Sequence, residues 1–186
     1  MHGMRPLADQ VALVTGSSNG IGRAIAAEFA RQGASLAICG RNSGRVSEAV
    51  AEIRDAGGVA EPFVGGLSSK EECDALVAAA IARFGRVDIL VNNAGEVKME
   101  PFLNFSAALW QQHLDVHMSA ALYCSQAAAR DMLTRSSGRI IHISSIAAGM
   151  GGPGFTAYGP VKAALESLTR VMAVELAADG ITVNAV

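Results

Sequence analysis

The sequence predicts an α/β domain, a doubly wound parallel sheet with helices on both faces, and three observations carry that expectation. Short, almost wholly apolar runs alternate along the chain with longer helical patterns. A turn with three glycines joins the first apolar run to the first helix. No low-complexity stretch, repeat or linker divides the chain, so residues 1–186 are expected to form a single domain.

Taken in order, residues 11–15 form an apolar run that ends at Gly16, as suits a strand buried on both faces. Residues 21–32 are helical in pattern, with Ile25 and Phe29 four apart and Gly33 as the stop. Residues 36–39 give the second strand, and residues 46–56 a helix closed by Gly57 and Gly58. Residues 60–64 give the third strand. Residues 68–84 give a helix with Ser68 or Ser69 as its cap and Glu71 and Glu72 in its first turn. Residues 88–91 are the fourth strand, 106 to about 135 a long helix, and 139–143 the fifth strand. Residues 158–178 form the last helix, ended by Asp179 and Gly180, and 181–186 begin a sixth strand. Short βα connections of this kind favour a parallel sheet.

The composition excludes several functions. With 15 Lys and Arg against 17 Asp and Glu, the net charge of -2 offers no basic surface for nucleic acid. No apolar stretch is long enough to span a membrane, and the N-terminus lacks a secretory pattern, so a cytoplasmic protein is expected. Cys39, Cys73 and Cys124 are scattered and odd in number, which fits buried thiols better than disulfides or a metal site.

The glycine turn reads Thr15-Gly16-Ser17-Ser18-Asn19-Gly20-Ile21-Gly22. Glycines here allow a sharp turn and let a pyrophosphate approach the backbone. The free N–H groups at the following helix start then offer an anion site. The spacing is Gly-x-x-x-Gly-x-Gly. Asn92-Asn93-Ala94-Gly95 follows the fourth strand, Ser145 the fifth, and Tyr158-x-x-x-Lys162 opens the last helix. On these motifs, in this order, the chain resembles the short-chain dehydrogenase/reductase family, and within it the reductases of 3-oxoacyl thioesters.

That resemblance implies a Rossmann-type fold and an oxidoreductase that moves hydride between a nicotinamide and a ketone or secondary alcohol. The expected cofactor contacts are Gly16, Ser18, Asn19, Gly20, Ile21, Gly22, Arg41, Asn93, Ala94 and Gly95, together with Tyr158 and Lys162. The residues themselves make chemical sense. Tyr158 and Lys162 are four apart and share one helix face. A free tyrosine ionises near pH 10, so a tyrosine that serves as acid or base needs a nearby cation to favour its phenolate. Ser145 is expected to hold the substrate oxygen beside Tyr158. The family resemblance adds that Lys162 bonds the nicotinamide ribose.

The second strand ends at Gly40 and Arg41, where an NAD enzyme would place an acid for the ribose 2′-hydroxyl. A guanidinium without a carboxylate favours NADP(H), with NAD(H) as the alternative. Partners are otherwise expected to be a small carbonyl or alcohol substrate and further copies of the chain, as a homodimer or homotetramer.

Three departures from the family pattern stand out. Gly65-Gly66-Leu67 replaces an Asp that meets the adenine, so that contact is expected to be lost. His117 stands where the family has its fourth catalytic residue, an Asn, and either relays protons or fills space. His113 lies one turn earlier, without a third ligand in sequence, so no metal is expected, and His142 is expected to be a satisfied core or edge histidine. Finally, family members continue for several dozen residues past the sixth strand, so the chain is expected to lack their C-terminal part. The alternatives to an active enzyme are therefore an inactive nucleotide-binding protein and a truncated fragment.

Overall fold

The computed structural model describes residues 5–186. Its strands are β1 (Val11–Val14), β2 (Ser35–Gly40), β3 (Val59–Val64), β4 (Ile89–Asn92), β5 (Gly138–His142) and β6 (Ile181–Ala185). The helices are α1 (Gly20–Arg31), α2 (Ser43–Asp55), α3 (Lys70–Phe84), α4 (Ala107–His113), α5 (Ala120–Leu133) and α6 (Tyr158–Leu176). All six strands pair in parallel in one sheet of order β3-β2-β1-β4-β5-β6. The expected doubly wound sheet is present.

Alternation along the strands divides the core in two. Leu13, Ala37, Leu90 and Ile140 face α3, α5 and α6, where Val77, Cys124, Ala128, Met132 and Met172 meet them. Ala12, Val14, Leu36, Ile38 and Val91 face the other way, onto Ala26 of α1 and Val46, Val50 and Ile53 of α2. Both faces of the inner strands are thus covered, which is why their sequences read as continuous apolar runs. All three cysteines are buried and unpaired, as expected. Among the described residues no helix is long and apolar enough to cross a membrane.

Helix ends follow local chemistry. Asn42 caps α2 by accepting from the Arg45 N–H, Ser69 caps α3 through the Glu72 N–H, and Ser106 caps α4 through the Leu109 N–H. Asn19 is different: it precedes α1 without a side-chain cap, which leaves the first-turn N–H groups of α1 turned to the glycine loop.

The long helix expected over residues 106–135 is not one regular helix. Between α4 and α5, Leu114–Ser119 is wound at the wider π pitch, and α5 ends at Leu133. A π turn takes up an extra residue and shifts the phase of the helix faces, but residues 110–121 mix polar and apolar side chains too evenly for the sequence pattern to show that shift. The last helix likewise ends earlier than expected, at Leu176, in a tight turn closed by Gly180 at φ 70°.

Candidate active site

The strand order reverses between β1 and β4, and it is at the carboxyl ends of these strands that such sheets leave a crevice. Here it is a cleft of about 1000 Å³. The glycine loop, the end of β2, the turn after β3 and the start of α6 all contribute to its walls.

The loop after β1 is tied to the one after β4. The Thr15 hydroxyl donates to the Val91 carbonyl at 3.3 Å and accepts from the N–H groups of Asn93 and Ala94, both at 2.9 Å. The Asn93 amide returns a hydrogen bond to the Thr15 carbonyl at 2.9 Å. Gly16 at φ 66° adopts a conformation that L side chains resist, and a Cβ there would stand 3.0 Å from Ala94 Cα. A side chain at Gly22 would run into the Asn93 amide. Loop and motif are therefore packed backbone to backbone, with the uncapped start of α1 beside them. That cradle fits a pyrophosphate, which needs close N–H approach and no side chains in the way.

Of the expected cofactor contacts, Gly16, Ser18, Asn19, Gly20, Ile21, Arg41, Asn93, Ala94, Gly95, Tyr158 and Lys162 line the cleft, while Gly22 packs behind it. Arg41 is joined there by Arg45, in the first turn of α2. Arg45 was not among the expected contacts, because the expected helix began at residue 46 and left residue 45 in the connection before it.

Tyr158 and Lys162 share one face of α6, with Lys162 Nζ 5.7 Å from the centre of the tyrosine ring. Lys162 is buried, and its ammonium donates to the Ile143 carbonyl at 2.6 Å. Burial lowers its pKa to about 8. Ser145 lies just past β5 as expected, half-buried, but does not join the cleft wall. Its Oγ accepts from the Ala147 N–H at 3.1 Å, which caps the next short turn and leaves its own proton free to donate. The neighbouring Ser144 does line the cleft, and its hydroxyl donates to Glu166 at 2.6 Å.

His117 sits in the π turn, buried against this group. A histidine nitrogen facing a carbonyl must carry the proton, and Nε2 lies 2.9 Å from the Glu96 carbonyl oxygen. Nδ1 is then a lone-pair acceptor, and it has no partner among the described residues. Desolvation and, more weakly, the Lys162 charge bring the His117 pKa down to about 4, although the Glu96 carbonyl opposes this. A small cavity of about 10 Å³, close to the room one water needs, is lined by His117, Lys162, Thr15 and Asn92. His113 stacks on His117 at 5.7 Å between ring centres, and among the described residues no third ligand joins them.

The space at Gly66 is taken by another residue. A Cβ at Gly66 would meet Glu72 Oε2 at 2.8 Å, and that oxygen accepts from the Ser68 N–H at 2.6 Å. The turn after β3 therefore does present a carboxylate to the cleft, but from α3. The sequence places Glu72 in the first turn of a helix capped by Ser68 or Ser69, while nothing in the pattern shows where its carboxylate reaches.

Comparison with known proteins agrees with this geometry. A family model described as short chain dehydrogenase matches residues 10–186. The chain belongs to the short-chain dehydrogenase family. It is thus an NAD(P)-dependent oxidoreductase acting on small molecules. It is 39% identical to a 3-oxoacyl-[acyl-carrier-protein] reductase of Synechocystis over 184 residues, which are 98% of this chain and 74% of that one. Among solved structures, a putative NAD(P)-dependent gluconate 5-dehydrogenase of Beutenbergia cavernae with bound NADP is 40% identical, with a TM-score of 0.92. That match covers 98% of this chain and 73% of the other. A 7α-hydroxysteroid dehydrogenase complexed with NADH and 7-oxoglycochenodeoxycholic acid is 35% identical, with a TM-score of 0.93. Here the match covers 96% of this chain and 70% of the other.

Proposed function

We propose that the chain reduces a ketone to a secondary alcohol with NADPH, or runs the reverse reaction, with Tyr158 as the acid or base. One observation carries the reading: Tyr158, Lys162 and His117 stand on the wall of the same cleft that the glycine loop floors. The bound dinucleotide supplies or accepts the hydride.

The chain's own groups handle binding and the proton. The glycine loop and the start of α1 hold the pyrophosphate, and Asn93 to Gly95 form the wall beside it. Arg41 and Arg45 favour a 2′-phosphate, since no carboxylate stands at the end of β2 to prefer a free ribose hydroxyl. Lys162, with one bond to Ile143, has donors left for ribose hydroxyls. In reduction the Tyr158 hydroxyl gives its proton to the substrate oxygen as the carbonyl carbon receives hydride, and in oxidation the proton returns. Ser145, next to the cleft-lining Ser144 and with its hydroxyl proton free, donates a hydrogen bond to the same oxygen. The acceptor Nδ1 of His117, the small polar cavity and the Lys162 ammonium together suit a water chain that reprotonates the site.

A 3-oxoacyl thioester is the substrate class favoured by the relatives' names. We further infer a cytoplasmic homodimer or homotetramer, for which the exposed Val171 and Val174 of α6 offer an apolar face. The test is the Tyr158→Phe variant, assayed with NADPH and 3-oxoacyl thioesters. Turnover should fall by about three orders of magnitude or more while NADPH affinity changes little. Full turnover in that variant would refute the acid/base role. Nucleotide binding without turnover of any ketone in the wild type would refute the proposed reaction.

A further inference from the structure

We infer that Glu72 reads the base of the bound dinucleotide, accepting a hydrogen bond from the exocyclic amino group of adenine. The inference rests on the dinucleotide reading above and concerns the end of the cleft beside the turn after β3. There the walls are apolar: Leu67 from the turn after β3, with Ala75 and Leu76 from α3. Such walls suit a flat aromatic ring, and a ring system with amino groups needs an acceptor at its edge.

Glu72 is the carboxylate on that wall. Its Oε2 is held by the Ser68 N–H at 2.6 Å, and its own N–H is tied to the Ser69 hydroxyl at 3.2 Å. The first bond holds the carboxylate and the second caps the helix turn that carries it, which lowers the entropy lost on binding. Oε1 makes no hydrogen bond among the described residues, and lies 3.1 Å from where a Cβ at Gly66 would stand. Any side chain at 66 would displace the carboxylate. Glycine at 66 and glutamate at 72 are thus one arrangement, and the base-facing acid comes from the helix rather than from the turn. A carboxylate that only accepts would attract the amino group of adenine and repel the carbonyl oxygen that replaces it in hypoxanthine.

The test compares NADPH with its hypoxanthine analogue, titrated by nicotinamide fluorescence against wild type and Glu72→Ala. Wild type is expected to prefer NADPH by on the order of tenfold, and the variant to bind the two within about twofold. The ratio is the readout, because any loosening of the turn weakens both ligands alike. If Glu72→Ala does not fold, Glu72→Gln should cut the wild-type preference by at least about threefold, because a neutral acceptor makes the weaker bond. Equal binding in the wild type overturns the proposal, as does a preference that survives either substitution. Binding of neither nucleotide would instead refute the dinucleotide reading, and this proposal with it.

Discussion

The His117 imidazole and the Tyr158 ring meet edge to face, with ring centres 5.3 Å apart and planes at 76°. Because Nε2–H is committed to the Glu96 carbonyl, the imidazole offers only a lone pair on the side of the unpartnered Nδ1. His117→Ala should lower kcat by about tenfold to a hundredfold with less than about threefold change in nucleotide affinity, and His117→Asn should retain more activity than His117→Ala. The burial that holds the imidazole neutral down to about pH 4 has a further consequence. The wild-type kcat profile should show no break near pH 6.5. A break there that vanished in His117→Asn would mean that the ring titrates during turnover, contrary to its buried position.

Gly95 makes the room that His117 occupies, since a side chain at 95 would run into the imidazole ring. Gly95→Ala alone should destabilise the fold by about 1–3 kcal/mol, because the buried ring cannot retreat without strain. In a His117→Ala background the same substitution should be nearly neutral. Urea unfolding of the four proteins gives the coupling energy directly. Additive effects would mean that the two positions do not share this space.

Arg41 and Arg45 stand on the same stretch of the cleft wall, at the start of α2. Arg41→Ala should weaken NADPH binding by about tenfold or more and leave NADH within about threefold, and adding Arg45→Ala should erase the remaining preference. Because charge carries this contact, the wild-type preference should also shrink as salt rises. Equal losses for both nucleotides would place the arginines away from the 2′-position.

The fold was legible because its signals are local and repeated. Apolar runs such as residues 11–15 and stops such as Gly33 mark each βα unit without reference to the rest of the chain. The candidate site was legible in part, where one motif supplies both residues of a contact, as with Tyr158 and Lys162 on one helix face. What stayed hidden depends on distance across the fold. Glu72 fills the space over Gly66 from a neighbouring helix, and the π turn that carries His117 falls where the apolar period is too weak to reveal it. Spacing indicates which residues share a helix face, but not which side chain reaches into a neighbour's space.

A chain of oriented hydrogen bonds behind the site should make the protein acid-sensitive. The Asn92 amide donates to Ser125 Oγ at 2.9 Å, and Ser125 lies 3.3 Å from His142 Nε2. On the other side His142 Nδ1 lies 2.8 Å from Thr169 Oγ1, whose proton goes to the Leu165 carbonyl. Thr169 must therefore accept from Nδ1–H, and Nε2 must accept from Ser125, so only one neutral tautomer satisfies every partner. His142 has no exposed surface, and burial, helped by the Lys162 charge, lowers its pKa to about 4. The unfolded chain would take up that proton near pH 6.5. Stability from the neutral form is thus complete above about pH 6.5 and is lost as the pH falls from there through about 4. The loss is on the order of 3 kcal/mol for this one group, and His117 adds a similar dependence over the same window. Melting temperatures measured from pH 8 to pH 4 should fall less steeply for His142→Asn than for wild type, although the variant starts lower at pH 8. Parallel curves would mean that His142 is protonated at no net cost in the folded protein, and the acid sensitivity would then have to come from other groups.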